Sequence, residues 1–159
     1  MNYIALENVR SLYNVGSVMR SMSFFGLKNL ILVGYSGRKK PGIDELHEKV
    51  FKTSLGAERN IKLTFLKNSQ ELIQLARKNK LRLTAIEQNK KSIDLSNWVP
   101  SNSLVAVLGN EVDGVSKIIL EKAEEIVEIE RLGKKGSLNV ATAAGVVLYK
   151  LTGRPLGWQ

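Results

Sequence analysis

Three polar segments of the chain contain the residue types that could do chemistry at one site. YNVGSVMRSM (13–22) carries an asparagine and an arginine six positions apart, GNEVDGVS (109–116) carries a carboxylate after a glycine, and RLGKKGSLN (131–139) ends on a serine and an asparagine. A guanidinium holds phosphate groups and stabilises negative charge that develops on oxygen. The chain has no cysteine and one histidine. Thiol nucleophiles and cysteine-ligated metals are therefore excluded, and we expect no metal site and no Ser-His-Asp triad.

The charge of the chain indicates an anionic partner. Twenty-four Lys and Arg against 15 Asp and Glu leave a net charge of +9, with a pI near 9.8. Such a balance is typical of proteins that bind nucleic acid or another anionic surface. No apolar run approaches the roughly 18 residues of a membrane span. The N-terminus has no secretory pattern and cysteine is absent, so we expect a cytoplasmic protein without membrane contact.

Short apolar runs alternate with helical patterns along the chain. Six runs rich in Ile, Leu and Val predict strands at 3–7, 29–34, 61–66, 81–87, 103–109 and 125–130. The alternation predicts an α/β domain with a mainly parallel sheet flanked by helices. Ligands bind beyond the carboxyl ends of the strands in such sheets. The candidate site therefore consists of the loops that follow the fourth, fifth and sixth of these runs.

Helical patterns lie between the strands. Apolar residues at helical spacing predict a helix across 15–22 that stops at Gly26, and Asn68 with Glu71 forms a capping box for the next one. A further helix is predicted at 115–123 and the last at 140–151, ended by Gly153 and Pro155. His47 is interpreted as a surface helix residue without a role.

The usual nucleotide-binding motifs are absent. LGKKGS (132–137) has the residue types of a P-loop in the wrong order, and no GxGxxG follows the first strand. The common Rossmann-type methyltransferase, which needs a glycine-rich first turn, is therefore disfavoured. A nucleotide-like cofactor would have to be held by another architecture.

NVGSVMRS (14–21), VLGNEVDGVS (107–116) and IERLGKKGSLNVATAAGVVLYKL (129–151) together resemble the three motifs of the SpoU (TrmH-like) family of RNA ribose 2′-O-methyltransferases, in the SPOUT superfamily. The resemblance implies an α/β fold with a C-terminal deep trefoil knot that binds S-adenosylmethionine. It implies a homodimer whose active site crosses the interface, and methyl transfer to a ribose 2′-hydroxyl of tRNA or rRNA, with tRNA favoured. It covers the chain as one domain, 1–159, without a separate RNA-binding domain.

The resemblance also assigns site residues. It makes Arg20 the catalytic arginine and adds four motif residues around it: Asn14, Glu111, Ser137 and Asn139. Glu111 is expected to organise the site and to hold Arg20 in place. The positions that match cofactor contacts, with the end of the fourth predicted strand added, are Ile86, Glu87, Gly109, Asn110, Ile129 and Leu138. The third motif departs from the family, which usually has a proline where this chain has Glu130.

Each of these residues also has a structural interpretation. Asn14 and Ser137 are natural helix N-caps. Arg20 is otherwise a solvated surface arginine, and Glu111 an ordinary loop carboxylate. Gly16 is expected to allow close approach of backbone or RNA, and Gly109 to serve a turn.

The segment GYSGRKKPG (34–42) predicts a basic loop. Arg38, Lys39 and Lys40 are expected to close on RNA phosphates, unless the loop is a solvated connection. Lysines at 90, 91, 134 and 135 extend a basic rim around the site. A non-catalytic RNA-binding or assembly module on the same fold is the alternative function. Base methylation by another SPOUT branch is disfavoured, since the motifs match the ribose branch.

Overall fold

The computed structural model describes residues 1–153. Its centre is a seven-stranded sheet in which every pair of neighbours is parallel, in the order β3-β2-β1-β6-β4-β7-β5. The strands are β1 Asn2–Glu7, β2 Asn29–Val33, β3 Lys62–Leu66, β4 Arg82–Ile86, β5 Ile93–Asp94, β6 Leu104–Leu108 and β7 Glu125–Glu128. The helices are α1 Leu12–Phe25, α2 Glu48–Ser54, α3 Ser69–Lys78, α4 Lys117–Lys122 and α5 Val140–Leu151, with a 3₁₀ turn at Ala57–Asn60. The predicted α/β class and six predicted strands are confirmed.

Helices cover both faces of the sheet. Alternate strand residues point to opposite faces, so Leu6 and Leu104 pack with α1, α2 and α5, while Ala5 and Val105 pack with α3 and α4. β6, in the middle of the sheet, is buried at every residue. Parallel strands covered on both sides read as continuous apolar runs, which is why the sequence pattern identified them.

Four helix ends test the capping predictions. Gly26 ends α1 in the left-handed conformation, and the Asn68 side chain accepts from the Glu71 amide at 3.0 Å, as predicted. The prediction that Asn14 caps α1 is wrong: Ser11 is the N-cap, and its Oγ accepts from the Asn14 amide at 3.2 Å. Ser137 does not cap α5 either, because the N-cap is Asn139, two residues later.

Two residues outside the core fix helix α2. A Cβ on Gly16 would lie 2.2 Å from the Val50 carbonyl oxygen, so the glycine admits the α2 backbone rather than RNA. His47 is the N-cap of α2 and accepts from the Lys49 amide through Nδ1 at 3.1 Å. Gly153 follows α5 with a positive φ, and Pro155 lies outside the described residues.

Between residues 1 and 153, no helix combines the length and the apolar character needed to cross a membrane.

Candidate active site

A pocket of about 450 Å³ lies at the carboxyl ends of β4, β6 and β7. Its lining comes from the three loops that the sequence selected, and it includes the polar residues Glu87, Asn110, Glu111, Ser137 and Asn139 and the apolar residues Ile86, Leu108, Ile129 and Leu138. Neighbouring parallel strands end at the same edge of a sheet, so segments far apart in sequence meet here. All predicted cofactor contacts line this pocket.

One hydrogen-bond network joins the three sequence motifs. The Asn14 side chain donates to Glu111 Oε1 at 3.2 Å, and the Asn139 side chain donates to Asn14 Oδ1 at 3.3 Å. The Glu111 carboxylate also accepts from the backbone amides of Arg10 and Ser11, at 3.0 and 3.2 Å. The start of α1, the loop after β6 and the start of α5 are thus fixed to one another.

The same contacts set the charge state of Glu111. Partial loss of water raises the pKa of this carboxyl, but hydrogen bonds from backbone amides, from Arg10 first, and from the Asn14 side chain outweigh that effect. The pKa therefore lies below its ordinary value. Glu111 is a carboxylate at neutral pH and serves as an acceptor that organises the site.

Asn110 holds the turn after β6 together. Its side-chain amide donates to the Asn8 carbonyl at 2.9 Å and to the Tyr35 hydroxyl at 2.7 Å, and its Oδ1 accepts from the Val112 and Asp113 amides at 2.7 and 3.1 Å. Both donors and both acceptor positions are used, and the residue is 8% exposed. A cofactor can therefore meet the main chain here but finds no free side-chain group.

Two glycines allow this turn to close. A Cβ on Gly109 would lie 2.1 Å from the carbonyl carbon of Gly114, and one on Gly114 would lie 2.2 Å from Glu87 Oε2. That Glu87 oxygen accepts from the Val115 amide at 2.9 Å. Glu87 thus lines the pocket and also ties the loop after β4 to the loop after β6.

The opposite side of the pocket has a different character. Every residue from 130 to 139 is exposed. Leu138 lines the pocket with half of its surface exposed, and Ile129 packs against the core at the start of the segment. Asn139 caps α5 by accepting from the Ala141 and Thr142 amides, at 2.9 and 3.3 Å. Within the described residues, the Ser137 side chain makes no hydrogen bond.

Arg20 lies apart from the pocket. It is exposed on α1, six residues beyond Asn14, or about 9 Å along the helix axis. It is not among the lining residues. Within one chain, Glu111 does not hold Arg20, since the Glu111 carboxylate is bonded to the N-terminal end of α1 instead.

Arg38 does not face solvent, which corrects its assignment to RNA binding. Its guanidinium donates to the carbonyls of Gly34, Ile43 and Leu66 at 2.7 to 3.1 Å and pairs with Asp44. The residue is 8% exposed and lies over the Phe65 ring. It anchors the base of the 34–47 loop, because it joins two carbonyls of that loop to the end of β3.

The tip of that loop keeps two exposed lysines. Lys39 pairs with Glu45 at 3.6 Å in a solvated contact, and Lys40 is exposed. Their contact with RNA stays a prediction.

The sequence interpretation missed two residues at the site. The Tyr35 hydroxyl accepts from the Asn110 side chain at 2.7 Å, and Tyr35 is also the first cause that raises the pKa of Arg10. Ser36 is buried, accepts from the Val9 amide at 2.9 Å and donates to the Leu6 carbonyl at 2.8 Å. Their position directly after β2 was the signal that could have identified them.

Metal ligands are not grouped in this structure. Across residues 1–153, no cluster of three or more His, Cys, Asp or Glu side chains is placed to hold a metal ion.

Comparison with known proteins assigns this chain to a family. The model of the SpoU rRNA Methylase family matches residues 1–149. A curated relative from Archaeoglobus fulgidus, named an uncharacterized tRNA/rRNA methyltransferase, is 29% identical over 92% of this chain and 62% of its own length. One from Mycolicibacterium paratuberculosis with the same name is covered over 46% of its length. The chain thus spans only about half to two-thirds of these relatives.

Solved structures show the same fold. The AdoMet-bound rRNA methyltransferase of Sinorhizobium meliloti is 25% identical with a TM-score of 0.84, over 94% of this chain and 54% of that protein. A structure that describes the 2-OH methylation of C/U34 on tRNA is 22% identical with a TM-score of 0.81, over 97% of this chain and 98% of that one. The family match over residues 1–149 leads to one conclusion: the chain belongs to the SpoU rRNA methylase family.

Proposed function

We propose that this protein transfers a methyl group from S-adenosylmethionine to a ribose 2′-hydroxyl of structured RNA. The observation that carries the proposal is the network of Asn14, Glu111 and Asn139, which joins all three motifs at one pocket. The family assignment supports methyl transfer to RNA. The ribose as acceptor follows from the resemblance of the motifs to the ribose branch.

The pocket suits this cofactor. Its volume of about 450 Å³ lies in the range of roughly 300 to 1,000 Å³ that small-molecule sites occupy. Ile86, Ile129 and Leu138 offer apolar contact to a nucleoside, and the main chain at 109–110 and the start of α5 offer polar groups. When bound, S-adenosylmethionine supplies a methyl group that its sulfonium already activates. The relative from Sinorhizobium meliloti was solved with AdoMet bound.

The residues of the chain have to position the RNA hydroxyl and manage its charge. Alignment of the two reactants supplies much of the acceleration in such transfers. A guanidinium keeps its proton in proteins, so we assign Arg20 the role of a fixed positive charge rather than a base. It would hold an RNA phosphate and stabilise negative charge on the 2′ oxygen, while that phosphate or a water accepts the proton.

A second copy of the chain has to bring Arg20 to the pocket. Within one chain, Arg20 lies outside the pocket lining, so we propose a homodimer in which the arginine of each protomer serves the other. An exposed aromatic patch at the ends of α1 and α5 supports such an interface. Phe24 is 84% exposed and lies edge-on to Phe25, whose ring is 6.4 Å from Tyr149. Exposed apolar patches of this kind mark interaction surfaces.

The RNA-binding assignment rests on charge. The chain carries +9, and Lys39, Lys40, Lys134 and Lys135 are exposed around the pocket end of the sheet.

We keep tRNA as the favoured substrate over rRNA, a cytoplasmic location, a single domain over 1–159, and the trefoil knot of the resemblance as parts of this proposal. Sedimentation velocity should give twice the mass of the 17.7 kDa chain.

The experiment has two steps. Calorimetry should first detect S-adenosylmethionine binding to the wild-type protein. Incubation of total RNA with methyl-labelled cofactor, followed by nuclease digestion and nucleoside mapping, should then give a 2′-O-methyl nucleotide in tRNA. Arg20→Lys keeps the charge but loses the planar fork, and it should bind cofactor as wild type and turn over far more slowly. Absence of cofactor binding with intact RNA binding would instead support the non-catalytic module.

A further inference from the structure

We propose a second phosphate-binding surface at the opposite end of the sheet, which holds the sugar–phosphate backbone of the RNA substrate; the identity of that RNA rests on the proposed function. The surface is a cleft of about 530 Å³ between the amino ends of β4 and β6 and the last turns of α3 and α4. Its charged lining residues are Arg77, Lys80, Arg82, Lys122 and Glu124. The cleft is distinct from the pocket that contains the three motifs.

The cations of this cleft are available for an anion. Arg82 is paired with Glu125 at 2.7 Å and lies 3.9 Å from Glu124, so its charge is satisfied and this group keeps one net negative charge. Arg77, Lys80 and Lys122 are exposed, and within residues 1–153 no carboxylate lies within 4 Å of their charged groups. Three positive charges without an ion-pair partner in the described part of the chain therefore line one concave surface, and they outweigh the single excess negative charge of the Arg82 group.

Lys80 lies directly beyond the end of α3. Lys80 has φ of +54°, the left-handed conformation that normally selects glycine after a helix. Its amide donates to the Arg77 carbonyl at 3.1 Å and closes the end of α3. Glycine would close this turn with less strain. The lysine at this position lines the cleft.

Hydroxyl groups and further lysines extend the surface. Ser101 and Ser103 line the cleft beside the cations, and serine hydroxyls donate readily to phosphate oxygens. Lys28 precedes β2 and Lys62 begins β3, where their backbones are joined by a hydrogen bond of 2.6 Å. From β3 to β4 the amino edge of the sheet spans four strand spacings, or about 19 Å. A basic edge of this length fits a polymer of phosphates better than one small anion.

The position of the cleft restricts the RNA that reaches both sites. β4 connects them, since Arg82 lines the cleft and Ile86 lines the pocket four residues later, about 13 Å along the strand. An RNA that fills both must pass around the edge of the sheet. A folded RNA such as full-length tRNA can do this, whereas an oligonucleotide of a few residues cannot. The cleft therefore acts as a length-dependent affinity site for the substrate.

The test compares two neighbouring residues of one helix turn. Arg77 and Lys78 both lie in the last turn of α3 and favour its dipole equally, but only Arg77 lines the cleft. We expect Arg77→Glu to weaken binding of full-length tRNA about tenfold and to lower the slope of log K against log salt by about 1. Lys78→Glu, with the same charge change, should weaken it less than threefold. Both should bind S-adenosylmethionine as the wild type does.

Several results would overturn the inference. Equal loss of tRNA affinity in both variants would show that only the net charge of the protein matters. Unchanged tRNA affinity in Arg77→Glu would show that the cleft does not bind tRNA. Pyrophosphate that binds in wild type and not in Arg77→Glu, with unchanged tRNA affinity, would make the cleft a small-anion site. If Arg77→Glu fails to fold by circular dichroism, Lys122→Glu tests the same cleft. If the wild-type protein binds tRNA but does not methylate it, the proposed function is contradicted, whereas the proposal that the cleft binds RNA is not.

Discussion

The two walls of the candidate pocket differ in how firmly the chain holds them. The wall at 108–115 is fixed by the hydrogen bonds of Asn110, by Glu87 and by glycine contacts with the neighbouring backbone. The wall at 130–139 is exposed throughout and is anchored at its ends, by Ile129 in the core and Asn139 at the helix cap. The first wall is ready for a ligand before the ligand arrives. The second is free to adjust when cofactor, RNA or a second copy arrives.

Substitutions in the two walls should therefore differ in their effects on stability and on function. Changes in the fixed wall should cost folding free energy as well as binding. Changes in the exposed wall should leave folding almost intact and act on ligand or RNA affinity.

The largest effect is expected from Gly109→Ala. The added methyl would lie 2.1 Å from the Gly114 backbone, and so close a clash should cost about 3 kcal/mol of unfolding free energy. Gly133→Ala in the exposed wall is the matched control, because a Cβ there meets nothing within 4 Å. Urea unfolding should place the control within about 0.5 kcal/mol of wild type. Equal losses of unfolding free energy in the two variants would show that the two walls are held equally firmly.

Asn110→Ala should come second. It removes two donors and two acceptor positions from a buried turn, and the groups left unpaired should cost about 2 kcal/mol. Cofactor affinity should fall with it, since the main chain at 109–114 loses its shape. Asn102→Ala, at an exposed asparagine, provides the control for thermal unfolding and calorimetry. An Asn110→Ala protein as stable as wild type would show that the turn keeps its conformation without the Asn110 side chain.

Asn139 lies at the junction of the two walls, and two substitutions separate its roles. Asn139→Ala loses the cap of α5, which should cost about 1 kcal/mol. Asn139→Asp keeps an acceptor for the cap but cannot donate to Asn14. Denaturation should find Asn139→Asp close to wild type in stability, with methyl transfer reduced as much as in Asn139→Ala. Full activity in Asn139→Asp would show that the hydrogen bond from Asn139 to Asn14 is not needed for catalysis.

Glu111→Gln should change how stability depends on pH. The folded protein lowers the pKa of this carboxyl, so the carboxylate stabilises the fold above its unfolded pKa, and this contribution is lost as the pH falls through the folded value. The free energy of unfolding of Glu111→Gln should therefore fall less than that of wild type below about pH 4.5. Parallel pH curves from urea unfolding would show that the amide contacts leave this pKa unchanged.

The smallest effect on folding is expected in the exposed wall. Lys134→Ala with Lys135→Ala should change the unfolding free energy by less than about 0.5 kcal/mol. RNA affinity should nevertheless drop, and the salt slope should decrease by up to about 2. Filter binding across a salt series measures both. A marked loss of stability would mean that this wall is fixed after all.

The sequence anticipated the parts that depend on local pattern. Strand runs such as 104–108 are apolar on both faces, and Gly26 and Asn68 carry their own turn chemistry. β5 has two residues, too few for a periodic signal, and α2 is a second short element, of seven residues. Both were missed.

The wrong sequence predictions concern residues whose positions are set by tertiary contacts. Ser11 and Asn14 are equally good caps in isolation, and Ser11 took the position. Arg38 is buried because carbonyls from 34, 43 and 66 converge on it, which no local pattern shows. The bonds of Glu111 to Arg10 and Asn14 span about a hundred residues. Only the family resemblance had grouped these motifs.

The most direct test of the account is a mixing experiment on the shared site. Arg20→Ala lacks the arginine, and Leu138→Glu puts a charge into the pocket wall without disturbing the buried core. Each variant alone should be inactive in methylation of tRNA. If they pair at random, a 1:1 mixture should recover about a quarter of wild-type activity, because each mixed dimer has one intact site of two. A mixture as inactive as its components, with mixed dimers confirmed by mass spectrometry, would contradict the account.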